Sequence, residues 1–67
     1  MHNHTYRKIC YAQLVNSGYD CPQLFFERKM GDTYSSYWGS EDRRMEVFYN
    51  IKADELSVYE LAFISCR

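Results

Sequence analysis

Two histidines and three cysteines, His2, His4, Cys10, Cys21 and Cys66, are the residues of this 67-residue chain with ligand or nucleophile chemistry. A structural zinc ion needs four nitrogen or sulfur ligands in a tetrahedron, and proteins supply them as close pairs such as C-x₂₋₄-C. Cys10, Cys21 and Cys66 stand far apart, and both histidines fall in the first four residues. The simpler account is that the cysteines act as small buried hydrophobes behind a solvated polar start. A nucleophile needs a neighbouring base and a third group to orient it; histidines at the start of a chain are poorly held for that task. Carboxylates pair at Glu41-Asp42 and Asp54-Glu55, but adjacent residues do not face one another on a helix or strand. They read as solvated turn charge. The three glycines are isolated, so no phosphate-cradling loop is spelled out. The expectation is a protein without catalysis, metal or cofactor.

Basic pairs recur at Arg7-Lys8, Arg28-Lys29 and Arg43-Arg44, each near aromatic residues. Positive side chains interleaved with rings grip single-stranded RNA or DNA through phosphate contact and base stacking. Val47-Phe48-Tyr49 after two arginines resembles the strand of an RNA-recognition module, although the glycines of that module are missing. Two considerations weigh against this partner. Neighbours on a strand point to opposite faces, so each basic pair splits. The chain also carries 8 basic and 9 acidic residues, a net charge of −1, and so has no overall field to steer phosphate.

Aromatic excess is the stronger signal. Seven Tyr, four Phe and one Trp make up 18% of the chain, and a core this small cannot hide them all. Thr33-Tyr34-Ser35-Ser36-Tyr37-Trp38-Gly39-Ser40 mixes rings with Ser and Gly as binding loops do, and Tyr, Trp and Arg dominate interface hot spots. Tyr34, Tyr37 and Trp38 are therefore the expected anchors, with Arg43 and Arg44 at the rim. The competing account makes Tyr34 and Trp38 the core face of a strand, with Tyr37 covering an edge.

The elements that must position these residues follow from punctuation and period. Asn16-Ser17-Gly18, Asp20-Cys21-Pro22, Gly31-Asp32 and Gly39-Ser40-Glu41-Asp42 are turn chemistries. From Arg43 to Ile51, Met45, Val47, Tyr49 and Ile51 alternate with Arg44, Glu46 and Asn50, the pattern of a half-buried strand. Phe48 is the one large apolar residue on its wet side. Gln23–Met30 and Thr33–Trp38 read as two further strands, which gives an antiparallel meander over 23–51. Tyr6 to Val15 favours a strand, because Arg7, Lys8 and Gln13 scatter around a helical wheel, while Thr5 and Gly18 offer a helix start and stop. Beyond Ala53, Asp54 and Glu55 suit a helix first turn, and Leu56, Tyr59 and Phe63 recur at helical spacing.

These elements define one small α+β domain over 1–67, with 1–4 frayed: an antiparallel sheet of three or four strands and one C-terminal helix. An all-β barrel-like domain and an α-β-β-β-α order, the order of double-stranded-RNA-binding domains, are the alternatives. In that family the last helix opens with a basic cluster, where Asp54 and Glu55 stand here. Met1 to Thr5 is polar with no apolar run behind it, and the cysteine count is odd. Together these predict free thiols in the cytoplasm and no membrane span. The expected function is a stand-alone protein-binding module, an inhibitor or adaptor that masks a partner's surface. Small inhibitors of this size are common among phage and mobile-element products. A homodimer is equally compatible, and single-stranded nucleic acid is the alternative partner.

Overall fold

The computed structural model describes residues 3–61, so Cys66 and the expected helix beyond residue 61 lie outside the described residues, as do the first two of the four residues expected to fray. Helix α1 (Asn3–Asn16) is followed by strands β1 (Gln23–Met30), β2 (Thr33–Ser40), β3 (Arg43–Asn50) and β4 (Glu55–Glu60). The strands form one antiparallel meander in the order β1-β2-β3-β4.

The helix stands at the N-terminal end, not the C-terminal end expected from the sequence. Tyr6, Cys10 and Leu14 are buried, and their spacing of four fits either element. Residues four apart share a face in both a strand and a helix. Ala12 separates the two cases, since a strand would bury it with the others, and it is exposed. The helix ends where Gly18 takes φ +99°. Tyr19 N–H then donates to Leu14 O at 3.1 Å and Gly18 N–H to Val15 O at 3.0 Å, the paired bonds of a Schellman cap.

The C-terminal segment is a strand for equally local reasons. Asp54 has φ +57° and closes the β3–β4 turn. Its carboxylate accepts from the Tyr49 hydroxyl at 2.7 Å, and the Asn50 side chain accepts from Ala53 N–H at 2.9 Å. The acidic residues read as a helix first turn thus end a hairpin. Leu56 and Val58 pair with Tyr49 and Val47 and pack against the core, while Tyr59 points away from it.

The core lies between α1 and the two central strands. An α-helix is about 10 Å wide, whereas four strands span roughly 15–19 Å, so one helix covers only the middle of the sheet. Beneath it are Tyr34 and Trp38 of β2 and Met45, Val47 and Tyr49 of β3. The Tyr6 ring lies 5.4 Å from Tyr34 and 6.0 Å from Tyr49, centroid to centroid. Burial of Ser36 needs hydrogen bonds. It accepts from Trp38 Nε1 at 2.8 Å and donates to Val47 O at 3.4 Å.

Candidate functional site

The opposite face of the sheet carries no helix. Strict alternation in β2 and β3 turns Ser35, Tyr37 and Gly39, with Arg44, Glu46 and Phe48, toward this side. In β1 the register slips between Leu24 and Phe26. A bulge leaves one residue unpaired and re-aims its side chain. Leu24 opposite Trp38 stays on the helix side, while Phe26 pairs with Tyr37 on the open side. Phe25 joins it there: its ring lies over Gly39, where a β-carbon would come within 2.5 Å of it. Arg44 caps that ring from 5.2 Å.

Register places these side chains in rows across the sheet. Phe26, Tyr37, Glu46 and Tyr59 form one row through all four strands. The next row is Arg28, Ser35, Phe48 and Ser57, and beyond it come Met30, Thr33, Asn50 and Glu55. Phe48 and Tyr59 meet edge to face at 5.8 Å. Phe25, Phe26, Met30, Tyr37 and Tyr59 keep 38–59% of their surface in water. Single exposed apolar residues are ordinary, but a contiguous group marks a contact surface. The charges among them balance, with Arg28 and Arg44 against Glu46 and Glu55.

The five residues expected to form the site do not converge. Tyr34 (0% exposed) and Trp38 (3%) belong to the core and cannot reach a partner. Arg43 shares the face of Met45, where it pairs with Glu60 at 3.4 Å and stacks over Tyr19 at 5.3 Å. Tyr37 and Arg44 do share the open face. Phe25, Phe26, Met30 and Tyr59 are the members that the sequence did not disclose. The bulge that turns out both phenylalanines has no signature in the alternation, and the helical spacing of Leu56, Tyr59 and Phe63 conceals the strand that carries Tyr59. Phe48 was the legible member.

On the helix side, Glu27, Tyr34 and Cys10 are tied into contacts of the fold, whereas Cys21, expected to be buried, is an exposed free thiol. Glu27 accepts two hydrogen bonds from Arg7 and one from the Tyr34 hydroxyl, at 2.5 Å. The Arg7 guanidinium holds its carboxyl below the usual range against the opposing effect of burial, and the Tyr34 hydroxyl adds to the lowering. Burial, then the Glu27 bond, pushes the Tyr34 hydroxyl up. Burial likewise pushes the Cys10 thiol up to about 11, with Ser36 partly offsetting it. Among the described residues, no cluster of three or more His, Cys, Asp or Glu could hold a metal ion, and no helix is long and apolar enough to cross a membrane. Comparison with protein-family models, curated proteins and solved structures finds no match to this chain.

Proposed function

We propose that this chain is a protein-binding module of the cytoplasm whose contact surface is the open face of its sheet. The observation that carries this reading is the set of exposed apolar side chains on one face: Phe26, Tyr37 and Tyr59 in the row that also holds Glu46, Phe25 next to Phe26 and Met30 two rows along β1, all left in water. Rigid rings give contact area at low entropic loss, and masking a partner, as an inhibitor or adaptor does, requires only such an area. The balanced charge of the face favours protein over a phosphate backbone, which would select a positive surface.

The test is affinity capture from native cell extract, with and without nuclease, using three baits. One is the unaltered chain. The second carries Tyr37→Ala and Tyr59→Ala on the open face. The third carries Tyr11→Ala and Val15→Ala, exposed residues of the helix. A stoichiometric protein, a second copy of the chain included, should stay with the first and third baits and leave the second. Capture that is lost to nuclease and falls steeply with salt would assign the face to nucleic acid instead.

A further inference from the structure

Resting on the open face as a protein-contact surface, we infer that its partner is a second copy of this chain, stacked sheet on sheet about a two-fold axis parallel to the strands. The area is adequate. Four strands of about eight residues cover roughly 19 by 26 Å, a flat footprint near 500 Å². Side-chain relief raises this toward the roughly 800 Å² per partner of a stable interface.

The pattern of side chains selects the axis. Rotation about a line parallel to the strands lays β1 over the partner's β4, and β2 over the partner's β3, at the same row. Phe26 then meets the partner's Tyr59, and the Tyr37 hydroxyl meets the partner's Glu46 carboxylate. Phe48 falls over the partner's Ser35. Arg28, Ser35, Glu46 and Phe48 line a shallow depression on the open face, so the small Ser35 leaves room for a ring. At the rim, Arg28 comes beside the partner's Glu55, one row along, within reach of a long side chain. Two-fold symmetry makes each of these contacts twice. An axis across the strands would set Glu46 against the partner's Phe48 and Tyr37 against the partner's Ser35, leaving the carboxylate facing a ring. Stacked sheets sit about 10 Å apart with their strands within about 30° of alignment, which preserves the central pairings.

The experiment uses charge reversal at the rim, where Arg28 and Glu55 are both exposed and neither takes part in the ion pairs found among the described residues. Sedimentation equilibrium over a range of loading concentrations should show the unaltered chain passing from its 8.1 kDa monomer to twice that mass. Arg28→Glu alone and Glu55→Arg alone each place like charges at both symmetric rim sites. Each should raise the dimer dissociation constant about tenfold. Mixed in equal amounts, the two variants should form a heterodimer near the original affinity, because both rim pairs are again opposite in sign. A chain that stays monomeric to about 300 µM, well above an ordinary micromolar constant, overturns the inference. So does a dimer that both single variants leave unchanged, since it would lie elsewhere, for example along an exposed strand edge. Either result leaves the open face to be judged by the capture experiment, which a different protein partner would still satisfy.

Discussion

Arg7 of the helix and Glu27 of β1 meet in a two-pronged contact, Nε to Oε1 at 3.0 Å and Nη2 to Oε2 at 2.9 Å. The pair fastens α1 to an edge strand that the helix is too narrow to cover. Its contribution is modest, because 44% of the Arg7 side chain and 22% of the Glu27 side chain remain in water, where solvent weakens ion pairs. The buried Tyr34 hydroxyl depends on the same carboxylate, however, and its loss leaves a donor unsatisfied.

Acid sensitivity follows from this contact. The Glu27 carboxyl is held below its ordinary value of 4.5 by Arg7 first and Tyr34 second. A depressed carboxyl stabilises the folded state above its unfolded pKa, and that contribution disappears as pH falls through the folded value. Glu27→Gln should therefore lower stability by about 1 kcal/mol at pH 7 and by much less at pH 3. Urea titrations of both chains at the two pH values measure the difference. An equal loss at both would show that the charge of Glu27 is not what holds Arg7 and Tyr34.

Tyr37 and Trp38 are neighbours in sequence and should respond in opposite ways. Trp38 is in the core and donates to the buried Ser36, so Trp38→Ala should destabilise the fold by about 3–5 kcal/mol. In a chain this small that is a large share of the total. Tyr37→Ala should alter stability by less than about 1 kcal/mol and weaken partner binding. Thermal melts followed by circular dichroism, beside a binding assay, separate the two.

The meander was legible in the sequence because its evidence is periodic. Met45, Val47 and Tyr49 alternate cleanly against Arg44 and Glu46, and Gly31-Asp32 is short enough for a hairpin; the break read over Gly39-Ser40-Glu41-Asp42 narrows to Glu41-Asp42, because Gly39 and Ser40 belong to β2. The ends were illegible where one spacing serves two structures. Tyr6, Cys10 and Leu14 satisfy both periods, and Asp54-Glu55 fits a helix start as well as a hairpin end. The site was half legible for a related reason. Tyr37 and Arg44 keep strand parity and were found, whereas the β1 bulge breaks parity and hid Phe25 and Phe26 together.

The two described thiols should differ sharply in reactivity. Cys10 is fully buried and its thiol is pushed up to about 11, while Cys21 is exposed. Thiolate is the reacting species, so at pH 8 iodoacetamide should label Cys21 readily. It should reach Cys10 only through unfolding. Peptide mass spectrometry after timed labelling reads both sites, and fast labelling of Cys10 in the folded chain would contradict its burial beneath the helix.

The β2–β3 turn contains a correctable strain. Glu41 occupies the first position of a two-residue hairpin loop with φ +57°, a region that disfavours residues with a β-carbon. Gly31 fills the equivalent place in the β1–β2 turn with φ +62°. Glu41→Gly should stabilise the fold by up to about 1 kcal/mol, the relief of the left-handed conformation less the extra chain entropy of glycine. A rise in melting temperature of a few degrees is the expected readout; a fall would mean that the Glu41 side chain has a stabilising role outweighing the strain.

Gly39 is small for a reason unrelated to its backbone angle. A β-carbon there would lie 2.5 Å from Phe25 Cε2 and 3.1 Å from Arg44 Nη1. The obstructing atoms are the ends of flexible side chains, and Phe25 is half exposed, so the ring can swing away. Gly39→Ala should therefore change stability by less than about 1 kcal/mol while breaking the stacking of Arg44 over Phe25, itself a contact of about 0.5–1 kcal/mol at the surface. A ring 5.2 Å from the guanidinium carbon should shift the proton resonances of the Arg44 side chain upfield, and Gly39→Ala should return them toward their random-coil positions. Phe25→Ala should do the same, and the double variant should show no further change. If Gly39→Ala leaves the Arg44 resonances where they were, the ring does not rest on Gly39, and the end of the open face nearest the β2–β3 turn has a different shape.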